Sequence, residues 1–397
     1  MEAAGAEKPI YRASTTAPVN IAVIKYWGKR DPKLNLPTNS SLSVSLDQAD
    51  LRTHTTASCS SSYSSPDTLT LNSKPESLEG ARPQACLSSL RALRSELEEK
   101  DPSLPKLSTL PLRIVSSNNF PTAAGLASSA AGFAALIRAI ADLYELPQDP
   151  TTLSLIARQG SGSACRSLLG GYVAWDHGTE ADGSDSKARL VAPKSHWPSM
   201  RALILVASHE KKDVSSTAGM QTTVQTSQLF KTRAEVVVPA AMEAMEKAIA
   251  EKDFESFAKV TMRDSDSFHA TCLDTTPPIF YMNDTSRAAI RAVENLNKRA
   301  GKIIAAYTFD AGPNAVIYYL HENREAVVGP FKRALGEKEG WLGQQGAAIG
   351  YAEIAQEDEI VMAKLKSGVS RVILTGVGEG PVSVQEHLVD EQGNPAD

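Results

Sequence analysis

An apolar run, Ile21-Ala-Val-Ile24, stops abruptly at Lys25, Tyr26, Trp27, Gly28, Lys29 and Arg30. Cations and amphipathic aromatics at a strand end suit a phosphorylated ligand, because lysine presents a compact point charge. The same run also reads as an exposed, solvated basic loop. A second stretch passes from Asn118 through Pro121, Ala124, Gly125, Leu126, Ala127, Ser128 and Ser129 to Ala131. It is a Pro/Gly/Ala turn running into a small-residue helix. A helix N-terminus has unpaired N–H groups and the positive end of the dipole, so it attracts phosphate. Gly125 lets the backbone come close, while Ser128 and Ser129 offer hydroxyl donors or a magnesium ligand. A buried Ala-rich helix after an ordinary turn fits these residues as well.

A third constellation is Gly160-Ser161-Gly162-Ser163-Ala164-Cys165-Arg166, a small-residue turn leading into a helix. Its guanidinium is shaped for two-pronged pairing with a carboxylate, in a ligand or in a surface ion pair. Asp310 lies between the apolar run Ile303–Phe309 and a Gly-Pro turn. It reads either as a turn aspartate or as a carboxylate at a cleft rim. Ser215 and Ser216 could cap a helix or bind a ligand. Arg82 and Thr217 are unremarkable on their own.

Together these segments resemble a known signature. Pro121-x-x-x-Gly125-Leu-x-Ser-Ser-Ala is similar to the phosphate loop of the GHMP kinase superfamily, with Ala127 where Gly or Ser is usual. Asn20-Ile-Ala-x-Ile-Lys25-Tyr26-Trp27-Gly28-Lys29 resembles the N-terminal signature of the mevalonate diphosphate decarboxylases within it. Segments at 159–168, 211–220 and 308–315 follow in that family's order and resemble its eukaryotic members. The resemblance implies an α+β, two-lobed GHMP-kinase-like fold with the active site in the cleft between lobes. It implies ATP-dependent decarboxylation of mevalonate 5-diphosphate to isopentenyl diphosphate, with ATP and Mg2+, in a homodimer.

The site residues follow from the same resemblance. Asp310 would stand at the tertiary hydroxyl. Arg166 would hold the substrate carboxylate, oriented by Ser161 and Ser163, with Gly162, Ala164 and Cys165 in the same loop. Lys25 would neutralise charge or order the site, and Asn20 would support Asp310 or Arg166. Tyr26, Trp27, Gly28, Lys29, Arg82, Ser216 and Thr217 would contact substrate, with Arg82 at its diphosphate. Asn118, Pro121, Ala124, Gly125, Leu126, Ala127, Ser128 and Ser129 would bind the nucleotide, with Ser129 near the transferred group and the metal. The alternatives are a small-molecule kinase that stops at phosphorylation, a monophosphate decarboxylase and a non-catalytic ligand-binding relative. The complete Tyr26–Lys29, Ser161–Arg166 and Asp310 set favours the diphosphate enzyme.

Composition narrows the field. The 397 residues can bury a sizeable core, and 42% hydrophobic with 22% charged residues is ordinary for a soluble globular chain. A net charge of −5 argues against nucleic acid as the main partner. No apolar run approaches the roughly 20 residues needed to span a bilayer, and the N-terminus lacks a signal-peptide apolar region. Cys59, Cys86, Cys165 and Cys272 lack metal-ligand spacing and read as reduced thiols of a cytoplasmic protein. The histidines do not cluster, which disfavours zinc, whereas magnesium carried by a nucleotide needs no such cluster.

The patterning predicts strands at 11–25, 41–57, 112–115, 172–175, 202–207, 303–308, 315–320 and 369–375. Helices are expected at 82–99, 126–145, 150–159 and 163–169, and dominate 214–300. Runs of strands and helices, segregated rather than strictly alternating, favour α+β. Residues 1–198 read as one domain and 199–384 as a second. The polar stretch 178–198 lies near the boundary, 351–368 reads as a flexible excursion, and 385–397 as an acidic, disordered tail with no core to join. Gly376-Val-Gly378-Glu-Gly380 lacks the dinucleotide spacing and reads as a turn.

Overall fold

The apolar stretch over 11–25 is two strands rather than one. Tyr11–Pro18 and Asn20–Ile24 belong to different sheets. Pro18 has no N–H to continue a ladder, and Val19 is fully buried at the switch. The 41–57 stretch divides likewise into Ser41–Ser45 and Arg52–Cys59. Between them the Asp47 side chain accepts the Ala49 N–H, an Asx turn that lets the chain change sheet. The computed structural model describes residues 8–64, 66–120, 128–207, 213–341 and 344–396.

Among the described residues there are three main sheets of six, four and four strands, plus a two-stranded ribbon. The six-stranded sheet runs in the order Val382–Val384, Tyr11–Pro18, Arg52–Cys59, Leu112–Asn118, Thr68–Leu71, Lys74–Glu76. Helices Ala81–Lys100, Ser128–Leu143 and Pro150–Gly160 share a core with it. The middle helix presents Ala130, Ala131, Ala134 and Ala135. Small side chains let it lie close to the strands. Asp149 caps Pro150–Gly160 through the Thr151 and Thr152 N–H groups, with Pro150 at the first position.

A four-stranded sheet (Ala188–Ala192, Tyr172–Trp175, Ser41–Ser45, Asn20–Ile24) forms the second layer. The third sheet runs Ala305–Phe309, Ala315–Leu320, Met200–Ala207, Val369–Gly376. Helices Asp284–Ala300, Arg324–Leu335 and Glu359–Gly368 cover one of its faces. One apolar core then crosses position 198. Ile21, Leu42 and Tyr172 join Ile204, Phe257 and Tyr318 in it. The helix Phe254–Leu273 therefore packs directly on the Asn20–Ile24 strand and brings both halves to the site.

Three expectations are corrected. Polar 351–368 contains the helix Glu359–Gly368, anchored by buried Met362 and Leu365. The 385–397 segment, described to residue 396, docks on the first sheet instead of trailing free. Val389 is buried, the Leu388 N–H reaches Thr56 Oγ1, and His387 Nδ1 lies 2.7 Å from Ser14 Oγ. Polar 178–198 carries the strand Ala188–Ala192. The Gly376–Gly380 stretch is a close crossing of the two halves. A Cβ on Gly378 would lie 2.0 Å from the Leu46 carbonyl oxygen.

Candidate active site

Lys25 follows the last residue of the Asn20–Ile24 strand, just after a register shift between Ala22 and Ile24. Such bulges re-aim the residues that follow. Lys25 Nζ meets Asp310 Oδ1 at 2.6 Å and donates to the Ala22 carbonyl at 2.6 Å. The lysine is 3% exposed and Asp310 33%, so of the pair it is the carboxylate that is open to a ligand. Asp310 follows the Ala305–Phe309 strand, and its carbonyl accepts the Gly312 N–H in a tight turn. Beneath the pair lies His269, buried against Phe268 and Phe309. Burial, then the nearby Lys25 charge, pushes its pKa down to about 3, so it is a neutral imidazole.

Arg166 lies in the 3-10 turn Gly162–Leu168 and is buried. Its Nε donates to Ser43 Oγ at 2.9 Å and its Nη1 to Ser41 Oγ at 2.6 Å. Among the described residues it has no ion-pair partner, although it feels the Asp310 charge. Burial pushes its pKa below the ordinary value. A buried cation held only by neutral hydroxyls is poised for an anion. Asn20 does not touch Asp310 or the Arg166 side chain in any described hydrogen bond. It donates to the Ser163 carbonyl and to Ser167 Oγ, bracing the turn that carries Arg166.

A second cationic group gathers at the other end of Lys25–Lys29. Lys29 is buried and has no ion-pair partner among the described residues. Burial first, then the adjacent Arg82 guanidinium, pushes its pKa down to about 8. Arg82 is exposed and donates to Thr217 Oγ1 at 3.1 Å. Thr217 and Ser216 open the helix Ser216–Thr226, capped by Ser215 through the Ala218 N–H. Two mutually repelling cations at a helix start suit a doubly charged phosphate group.

The aromatics divide their roles. Tyr26 packs edge-on to Trp175 at 4.7 Å, and its buried hydroxyl has no hydrogen-bond partner among the described residues. Gly162 is required beside them, since a Cβ would approach Tyr26 to 2.8 Å and Trp175 to 2.9 Å. Trp27, expected at the substrate, turns its side chain into the interior. It is buried among Phe268 and Tyr281, and its indole N–H goes to Thr223 Oγ1. Gly28 has φ +87°, and a Cβ there would strike the Phe230 ring. Cys165 and Ala164 are buried likewise, with the Cys165 thiol on the Gly162 carbonyl.

Ser129 Oγ lies 3.3 Å from Ser161 Oγ, so the start of the Ser128–Leu143 helix meets the Arg166 loop. Ser128, Ser129 and Asn118 line a mostly apolar cavity of about 260 Å³ with Leu69, Leu71 and Phe133. Pro121, Ala124, Gly125, Leu126 and Ala127 lie outside the described residues. A larger cavity, about 470 Å³, sits among Asp47, Lys194, Arg201 and Arg324, at the far end of the same strands and away from Asp310. No group of three His, Cys, Asp or Glu residues suited to a metal occurs among the described residues. Sequence reading missed Ser41 and Ser43, whose alternation with Leu42 and Val44 sets them on one strand face. It also missed Asp264, a charge on the apolar stripe of its helix.

Comparison with known proteins agrees across the chain. Residues 17–188 match the diphosphomevalonate decarboxylase-like N-terminal domain, and residues 202–384 the mevalonate 5-diphosphate decarboxylase C-terminal domain. The diphosphomevalonate decarboxylase of Aspergillus fumigatus is 64% identical over 99% of both chains. The chain belongs to the mevalonate 5-diphosphate decarboxylase family. A crystal structure from that family shares 56% identity at a TM-score of 0.88, covering 97% of this chain and 100% of the other. Another solved structure, MDDEF in complex with MVAPP, AMPPCP and magnesium, shares 28% identity at a TM-score of 0.74, covering 95% and 100%. The α+β fold of the GHMP kinases follows with the family.

Proposed function

We infer that this chain catalyses the family's reaction, the ATP-dependent decarboxylation of mevalonate 5-diphosphate to isopentenyl diphosphate, carbon dioxide, ADP and phosphate, a step of isoprenoid and sterol biosynthesis. The observation that carries the reading is the partly exposed Asp310 held by buried Lys25, with Arg166, which has no ion-pair partner among the described residues, close enough to feel its charge. Asp310 orients the tertiary hydroxyl and accepts its proton as the hydroxyl oxygen takes the γ-phosphoryl group. The hydroxyl thereby becomes a leaving group. Phosphate departs with the C–O electrons, and the C–C electrons next to the carboxylate form the alkene as carbon dioxide leaves. Arg166 fixes the carboxylate so that the breaking bond is aligned. Its grip must position rather than stabilise the carboxylate, because charge pairing made only in the ground state would slow the reaction.

Lys29, Arg82 and Thr217 support an anchor for the substrate diphosphate, with Tyr26 and the Ser161–Ser163 turn bordering its hydrocarbon part. The cavity beside Ser128 and Ser129 supports nucleotide binding, its apolar wall suiting a base and its hydroxyls the phosphates. Magnesium carried by the nucleotide would neutralise phosphate charge, with Ser129 as the side chain that would hold it. The free buried cysteines support a reducing, cytoplasmic setting. Exposed Leu273 and Phe280, on segments beside Leu229, support a homodimer contact.

The test is to supply magnesium-ATP and mevalonate 5-diphosphate labelled at the carboxyl carbon, and to follow labelled carbon dioxide and ADP together. Equal release supports the reading. ADP without carbon dioxide would mean a kinase, and neither product would mean another substrate or a non-catalytic protein.

A further inference from the structure

The mechanism leaves unused a buried ion pair directly behind Lys25. Asp264 is 1% exposed and Arg233 2%. Arg233 Nη2 donates to Asp264 Oδ1 at 2.9 Å, and Arg233 Nη1 to Ser267 Oγ at 3.0 Å. The other oxygen, Asp264 Oδ2, accepts the backbone N–H of Lys25 at 2.8 Å. Lys25 lies just beyond the strand and its bulge, where that N–H has no ladder partner among the described residues. The acceptor therefore comes from the other half of the chain, from the helix Phe254–Leu273. Arg233 in turn starts a π-helical turn, Arg233–Val237, the kind of local widening that recurs at functional sites.

We propose that Asp264, its charge balanced by Arg233, is a positioning residue for the reaction: it fixes the Lys25 backbone so that Nζ holds Asp310 at the reacting hydroxyl. Three observations converge. Both charges are almost wholly buried, an arrangement that favours a single geometry over raw stability. The hydrogen bond reaches Lys25, whose Nζ pairs with the Asp310 carboxylate. The Asp264 carboxylate is spent on Arg233 and Lys25, so it adds no rival base to the cleft. Displacement of Lys25 by even about 1 Å would loosen the short Nζ–Asp310 contact, and misplacement of that order costs about 100-fold in rate.

The inference rests on the decarboxylase reading above, and its test separates the two. Both variants are made on an Arg233→Met background, so that neither carries an uncompensated buried charge. Asp264→Asn keeps an oxygen acceptor for the Lys25 N–H, and Asp264→Leu removes it. Thermal melting verifies that both fold. The expected result is a kcat at least tenfold lower for leucine than for asparagine, with KM for ATP and for mevalonate 5-diphosphate within about threefold in both. Equal kcat in the two, or a loss carried by KM, would overturn the proposal. Should the leucine variant not fold, Asp264→Ser replaces it, since its hydroxyl stops short of Lys25, with the same outcomes. Failure of the unsubstituted chain to release carbon dioxide would instead overturn the functional reading.

Discussion

The two cationic ends of the Lys25–Lys29 segment are built in opposite ways. At one end Lys25 is buried and already paired with Asp310 at 2.6 Å. At the other, Lys29 is buried beside Arg82, a like charge, and has no anion of its own among the described residues. Paired charge at the first end fixes the geometry of a reacting carboxylate before anything binds. Unpaired charge at the second is relieved only when a ligand brings negative charge. Arg166 combines both, being held by Ser41 and Ser43 but lacking a counter-ion among the described residues. The first end should therefore govern turnover, the second substrate affinity, and Arg166 both.

The largest effect should come from Asp310→Asn. Removing the base should lower carbon dioxide release about 10³-fold, within the span that positioned proton transfer contributes. Arg166→Gln should lower kcat/KM about 100-fold, since a charge-assisted contact is worth about 3 kcal/mol. Lys29→Met should raise KM for mevalonate 5-diphosphate about tenfold and leave kcat within about twofold, one charged contact to the substrate being lost. A rise in KM matched by an equal fall in kcat would erase the distinction between the ends.

The pH dependence sharpens the same comparison. Lys29 is charged below about pH 8 and loses its proton above it. Substrate KM in the parent should thus be lowest below pH 8 and climb as pH rises through that value. Arg82→Ala removes the second cause of the depression, so the inflection should move to higher pH. An inflection that stays put would exclude Lys29 as its source. The smallest effect should be that of Trp27→Phe. Losing the bond to Thr223 should cost about 1 kcal/mol of stability, read by denaturant unfolding, with both kinetic constants near the parent's.

Trp27 also shows where sequence reading stops. Lys25 and Asp310 stood out because each ends an apolar run with a charge at a turn, and Arg166 because it closes a small-residue turn, while their roles came from the family resemblance rather than from the residues alone. Trp27 stood among them, yet its partner Thr223 is 196 residues away. Nothing local distinguishes an aromatic facing a ligand from one facing a distant helix. The Val382–Val384 strand and the docked segment after it were hidden for a similar reason. Their anchors, Thr56, Ser14 and Arg113, lie on strands far earlier in the chain. Asp264 was legible in principle. Its helix buries Phe257, Ala258, Thr261, Ser265 and Phe268, and the carboxylate falls on that stripe. A charge on an apolar helical face requires a buried partner. The strand switch at Val19 carried only a proline as its mark, too weak to divide an otherwise continuous apolar pattern.

Turnover should depend on one end of this short segment and substrate affinity on the other. Calorimetric binding of mevalonate 5-diphosphate to the Asp310→Asn variant, measured alongside its carbon dioxide release, tests this most directly. Substrate should bind within about threefold of the parent while release is lost, because the Lys29–Arg82 anchor is untouched. Loss of binding in step with release, or release at the parent's rate, would contradict it.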